Sequence, residues 1–422
     1  MGNDARINSS KYCYCFCLVT HVKKRIGFLA CLLFAIPNFF LAPASALDPI
    51  NVAATFERLT AGSALANPSI IVIDPLTGAV VYEKNSYSQR KPASVLKIYS
   101  ATAALTYMQP TQRFTTSAWV GVNPKSIVIQ GSLDPWMSLS DSIAKKMGRT
   151  SIPRIEYNSL SALKESNSGS IRNSTIYYSE LYSQDVANIK TFFLKHGVRP
   201  VMKRVTSSQA QLLSNEQILS SESPELQEML AFALTWSDNL LTERMARLAA
   251  KAAGHPLNDE GVALTLNEVL AELGVEGRGL LIKDASGLSR ENRVTAHQVG
   301  QLLLKIRNDS RFAPLIGGLP VSGVTGTLKN RFIDTAPQAI GLVRAKTGTL
   351  NGTANLAGYV EAGDREYIFV IIADKLKKSS RAEKFARATV DRILGKIASP
   401  LLPMFPTQPA DIQITEEITS TN

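Results

Sequence analysis

Past residue 31 the chain contains no cysteine; all four (Cys13, Cys15, Cys17 and Cys31) fall within the first 46 of its 422 residues. The remainder therefore has no disulfide, no thiol nucleophile and no cysteine metal site. Histidine is nearly as scarce, with only His196, His255 and His297 beyond residue 46. None has a second ligand at H-x-x-x-H spacing, so no metal and no cofactor are expected. G-x-S-x-G is also missing, which leaves a histidine-based α/β-hydrolase poorly supported. There is no basic stripe interleaved with aromatics and no recognition motif, so no nucleic-acid partner is expected.

One apolar run is notable, Ile26 to Leu41, broken by Pro37. Lys23-Lys24-Arg25 precedes it and Ala44-Ser45-Ala46 follows. Basic region, apolar run and A-x-A site together read as a secretory signal peptide over residues 1–46, although the basic cluster sits far from Met1. The competing reading is an uncleaved membrane anchor, disfavoured because the run is short and interrupted. Export places the protein in the periplasm or at the cell-wall face of an envelope. The first 46 residues carry +4 of the formal net charge of +11, leaving a mildly basic +7 on the rest. Such a balance weakly favours anionic envelope polymers as surroundings.

The remaining 376 residues suffice for one large domain and a smaller one. Ser69-Ile70-Ile71-Val72-Ile73-Asp74 and Ala79-Val80-Val81-Tyr82 read as strands joined by Pro75-Leu76-Thr77-Gly78. Near the other end, 353–361 and 366–373 are strand-like across the turn Ala362-Gly363-Asp364-Arg365, and a helix over 380–397 follows. Strands from both ends around a helical middle predict one antiparallel sheet covered by helices. Residues 136–215 are rich in Ser, Asn and Tyr with little periodicity and read as an inserted accessory subdomain. The expected organisation is a catalytic domain over 47–135 and 216–399, that insertion, and a disordered Pro-rich tail over 400–422.

Three short strings stand in one order: Ser94-Val95-Leu96-Lys97, Ser237-Asp238-Asn239 and Lys346-Thr347-Gly348. S-x-x-K is weak alone and also begins at Ser88, Ser142 and Ser161. S-D-N and K-T-G each occur once, and a given tripeptide arises by chance only about once in several thousand positions. Ser94 is singled out because it opens an apolar, Ala-rich run of helical spacing that ends before Pro110. A serine in a first helical turn lies near unpaired N–H groups, with Lys97 one turn along on the same face. A serine hydroxyl needs a base, and lysine serves once burial and a neighbouring cation destabilise its ammonium.

The ordered set is that of penicillin-binding proteins and class A β-lactamases. More of the chain resembles the type-4, DacB-like D-alanyl-D-alanine carboxypeptidases/endopeptidases. Ser237-Asp238-Asn239-Leu240-Leu241-Thr242-Glu243 is similar to that family's S-D-N-L-L-A-E. The run Asp284-Ala285-Ser286-Gly287-Leu288-Ser289-Arg290-Glu291-Asn292 resembles its D-G-S-G-L-S-R-x-N, with Ala285 in place of a Gly. Gly326-Thr327-Leu328-Lys329-Asn330-Arg331 resembles its G-T-L-x-x-R. The 284–292 run reads equally as a surface turn or as the rim of the cleft. The spacing of 143 residues from Ser94 to Ser237 is shorter than the family's usual long insertion.

The resemblance implies an α/β (α+β) penicillin-binding protein/serine β-lactamase-like fold, a five-stranded antiparallel sheet flanked by helices. It implies a serine-type carboxypeptidase acting on peptidoglycan stem peptides, with β-lactams as covalent inhibitors. Ser94 would be the nucleophile and Lys97 its base. Ser237, bridging Lys97 and Lys346, would relay a proton, and Asn239 would hold the substrate carbonyl. The Ser94 and Thr349 N–H groups would form the oxyanion hole. Lys346, Thr347 and Thr349 would bind the terminal carboxylate while Gly348 admits close approach. Alternatives sharing the motifs are a serine β-lactamase, for which no E-x-x-L-N loop is found, a D-amino-acid esterase or amidase, and a non-catalytic wall-binding protein.

Overall fold

The computed structural model describes residues 47–399; the expected signal peptide and the expected tail lie outside them. Chain order begins α1 (Pro49–Thr60), β1 (Ser69–Ile73), β2 (Val80–Lys84), α2 (Lys97–Tyr107), β3 (Thr115–Gly121) and β4 (Ser126–Gln130). Next come α3 (Asp141–Met147), α4 (Ile152–Glu165), β5 (Thr175–Ser179), α5 (Ser183–Lys195), β6 (Val201–Arg204), α6 (Ser207–Leu213) and β7 (Ser214–Glu222). Five helices follow: α7 (Leu226–Trp236), α8 (Asn239–Ala252), α9 (Asp259–Glu272), α10 (Ala296–Arg307) and α11 (Ala313–Gly318). The chain then forms β8 (Val343–Gly348), β9 (Ala354–Ala362), β10 (Arg365–Ala373) and α12 (Ser380–Ile397).

The main sheet has the order β2-β1-β10-β9-β8, antiparallel throughout. Residues 70–73 of β1 and 367–372 of β10 are apolar without a break because both faces are covered. Side chains alternate across a strand, so Ile71, Ile73, Ile368, Val370 and Ile372 enter one core, shared with α2, α7, α8, α9 and α10. Their neighbours Ile70, Val72, Phe369 and Ile371 enter the other core, with α1 and α12. Each such buried aliphatic contributes about 1.5–3 kcal/mol. The expected antiparallel sheet and the helix over 380–397 are both present.

A second sheet, β6-β5-β4-β3-β7, is mixed: β4, β5 and β6 run parallel, while β3 pairs antiparallel with β4 and β7. Ile127, Ile129 and Ile176 pack there against Ile155, Leu163, Ile189 and Phe193 of α4 and α5. This sheet spans 115–222, so the expected limits of the insertion, 136 and 215, fall inside it. The pairing of β3 with β7 brings the outgoing and returning chain side by side. Arg244 of α8 ties the two parts together, forming a buried 3.1 Å ion pair with Asp185 of α5 and lying over Tyr182.

Candidate active site

The Ser94 string occupies a 3₁₀ turn, Ala93–Leu96, that runs into α2 at Lys97. Ala93 adopts a left-handed backbone, φ 47°, which costs a non-glycine residue about 1–2 kcal/mol. Gly287 backs that turn: it has φ 83°, and a Cβ there would lie 1.9 Å from the Ala93 carbonyl oxygen. Only glycine fits. Gly348 likewise lets β8 approach, since its Cβ would sit 2.6 Å from the Pro92 carbonyl oxygen. The close approach at Gly348 is thus to the turn that carries Ser94.

Ser94 is partly exposed and Lys97 is fully buried beneath it, with Nζ 3.2 Å from Ser94 Oγ. Lys97 Nζ also donates to Asn239 Oδ1 and to the Ser286 carbonyl, each at 2.7 Å. Both are acceptors only. A neutral amine has two N–H donors and one lone pair, so with the donors committed the lone pair is left for the Ser94 hydroxyl. Burial lowers the Lys97 pKa to about 8, while the charges of Glu243, Asp284 and Asp238 oppose that fall.

S-D-N is a junction of two helices. Ser237 ends α7 in a left-handed conformation, φ 60°. Asp238 caps α8, accepting from the Leu241 N–H at 2.9 Å, and Asn239 is the first residue of that helix. The junction thus presents Ser237 to Lys346 and Asn239 to Lys97. Lys346, on β8, is buried and donates to Ser237 Oγ at 3.0 Å and to the Thr347 carbonyl at 3.1 Å. Burial, and then the charge of Lys97, push its pKa well below the usual lysine range. Among the described residues Ser237 is bonded to Lys346 and not to Lys97, so the expected bridge has one arm.

A cleft of about 400 Å³ is lined by Ser94, Ser237, Thr327, Arg331, Thr347, Thr349 and Arg387. β8 is an edge strand, and its outer side alternates. Val343 accepts from the Ser322 N–H and Ala345 donates to the Pro320 carbonyl, so Thr347 turns its backbone toward the cleft, and Thr349, just past the strand, lines it. A larger open groove along α12, lined by Lys377, Arg381, Lys384 and Phe385, holds none of the motif residues. The rival S-x-x-K copies are elsewhere. Ser142 with Lys145 and Ser161 with Lys164 lie on exposed helix surfaces, and Ser88 is in the loop before Arg90.

Five participants were given no role of their own in the sequence reading. The Ser286 carbonyl is backbone, and it is aimed by Glu243, whose carboxylate accepts from the Ala285 and Ser286 N–H groups at 2.8–3.2 Å. Glu243 stands four residues after Asn239, one helical turn away, and that spacing could have flagged it. Asp284 accepts from the Gly287 N–H and from Asn292 Nδ2, so the 284–292 run is a turn that backs the Ser94 segment through Gly287 and reaches Lys97 through the Ser286 carbonyl. Arg331 and Arg387 reach the cleft from separate parts of the chain.

Residues 52–165 and 172–397 match the D-Ala-D-Ala carboxypeptidase 3 (S13) family. The chain belongs to that family. It is a serine-type D-Ala-D-Ala carboxypeptidase of the penicillin-binding kind. A carboxypeptidase DacB of Mycolicibacterium smegmatis is 28% identical over 383 residues, covering 79% of this chain and 83% of that one. The crystal structure of penicillin-binding protein 4 (DacB) from Haemophilus influenzae superposes with a TM-score of 0.62 at 16% identity, covering 82% of this chain and 99% of that one. Bd3459, a predatory peptidoglycan endopeptidase from Bdellovibrio bacteriovorus, gives 0.55 at 15% identity, covering 81% and 95%. These structural likenesses bear on the carboxypeptidase's fold, which is the expected one. No helix among the described residues is long and apolar enough to cross a membrane.

Proposed function

We propose that this carboxypeptidase is exported and cleaves the terminal D-Ala from peptidoglycan stem peptides through an acyl-enzyme on Ser94. The observation that carries this reading is the Lys97 amine, buried, committed to two acceptors and directed at Ser94 Oγ. Lys97 takes the Ser94 proton as Oγ attacks the carbonyl carbon of the penultimate residue. Oxyanion charge falls on the Ser94 and Thr349 N–H groups, and Asn239, whose Oδ1 is held by Lys97, offers its Nδ2 to the substrate. The C–N bond then breaks. Ser237, polarised by Lys346, delivers a proton to the departing amine. Water then attacks the ester, its proton restoring Ser237, while Lys97 returns its proton to the departing Ser94 Oγ and the shortened peptide is released with a new carboxyl end. Thr347 and Thr349 receive the terminal carboxylate, and the 115–222 sheet is accessory to this chemistry. β-Lactams acylate the same serine.

Labelled penicillin tests the assignment. Wild-type protein gains one adduct by intact mass, Ser94→Ala gains none, and Lys97→Ala acylates about 10²–10⁴-fold more slowly, the contribution of a positioned base. An adduct on Ser94→Ala would refute the nucleophile. Pentapeptide muropeptides then yield free D-Ala, and split cross-linked dimers would reveal endopeptidase action by the same acyl-enzyme.

A further inference from the structure

The cleft lining contains no carboxylate, five hydroxyl residues and two arginines, and the arginines differ in how they are engaged. Arg331 is paired with Asp391, through Nη2 and again through Nε at 3.4 Å, and also donates to the Arg387 carbonyl. Thr335 donates a further bond to Asp391 at 3.2 Å. Arg331 is therefore neutralised and serves to fasten its loop to α12. Among the described residues Arg387 has only Glu383 as an ion-pair partner, at 3.8 Å, one turn back on α12. Glu383 is itself occupied, accepting from the Gly352 N–H at 2.9 Å. Lys346, the other cation close by, is buried and directed at Ser237. Among the described residues the Arg387 guanidinium is thus the one charge lining the cleft whose donor fork is still open.

Resting on the proposed carboxypeptidase reaction, we propose that Arg387 is a specificity-determining residue that reads the carboxylate of the leaving D-amino acid. Thr347 and Thr349 supply hydroxyl donors to that group from β8, and Arg387 supplies the planar, charged donor from α12. Selection is then for an anionic chain end over a neutral one. Arg387 lies outside the three ordered strings, and no neighbouring sequence pattern marks it.

The test compares diacetyl-L-Lys-D-Ala-D-Ala with its C-terminal carboxamide, in wild type, Arg387→Ala and Arg387→Lys. The ratio of kcat/KM, acid over amide, is the readout, because a fold defect moves both substrates together. In Arg387→Ala the ratio falls about 10- to 100-fold, the range for losing a charge-assisted contact. Arg387→Lys, a point charge without the fork, lies between. An unchanged ratio overturns the proposal, as does an equal loss on both substrates. Acylation by benzylpenicillin against its methyl ester gives the same ratio without requiring D-Ala release. If wild type releases no D-Ala, the carboxypeptidase reading fails, while the penicillin pair still decides the role of Arg387.

Discussion

At the scale of single residues, the site is governed by how two lysines are kept out of water. Burial brings the Lys97 pKa down to about 8, yet three carboxylates pull the other way, Glu243 foremost. Acylation requires the neutral amine, so its rate rises as pH passes upward through the Lys97 pKa of about 8. Removing the Glu243 charge removes support for the ammonium and lowers that pKa further. Glu243→Gln therefore moves the acidic limb of the penicillin acylation profile to lower pH. A reduced rate with an unmoved midpoint would make Glu243 a purely mechanical prop for the Ser286 carbonyl.

The motif residues were legible because each is a side chain whose type carries the chemistry: Ser94 with Lys97, and Ser237 with Asn239 and Lys346. What was not legible depends on the backbone or on tertiary placement. Nothing in the identity of Ser286 says that its carbonyl will accept from Lys97. The expected Lys97–Ser237 link also could not be checked by spacing, because both groups had partners in Asn239 and Lys346 that only the fold brings close.

At the scale of elements, strands β1, β2, β9 and β10 were readable from apolar runs bounded by turn residues, and α12 from its periodicity. The second sheet reaches past 136–215 at both ends for a physical reason. Ile127-Val128-Ile129 is as apolar as any strand of the main sheet, and composition does not say which sheet a strand joins. That is set by pairing with β5 and by the return of β7 to β3. The turn carrying Ser94 depends on glycine in another element. Gly287→Ala forces a Cβ into the Ala93 carbonyl and onto a left-handed backbone. We expect a loss of at least about 1–3 kcal/mol and slower acylation, measured by thermal melting and penicillin labelling; full activity at wild-type Tm would contradict the contact.

At the scale of the whole molecule, the accessory sheet and the catalytic part share one buried ion pair, Arg244 with Asp185. Burial raises the Asp185 pKa, and Arg244 opposes that rise. Such a pair is weak evidence of stability, but breaking it strands a charge. Arg244→Leu is expected to cost about 3–5 kcal/mol, while the double change with Asp185→Leu recovers most of it. Denaturant unfolding of the four proteins measures the coupling. A double variant as unstable as Arg244→Leu would show that the pair is not a discrete joint.

The edge of the main sheet has one more consequence. Residues 320–322 cover β8 as far as Ala345, which leaves open the three residues from Lys346 to Gly348, roughly 10 Å of strand. An exposed strand edge is ordinarily a template on which other chains zip together. Here the unpaired edge is only about a dipeptide long, and Lys346 and Gly348 are themselves buried, so it is too short to seed aggregation.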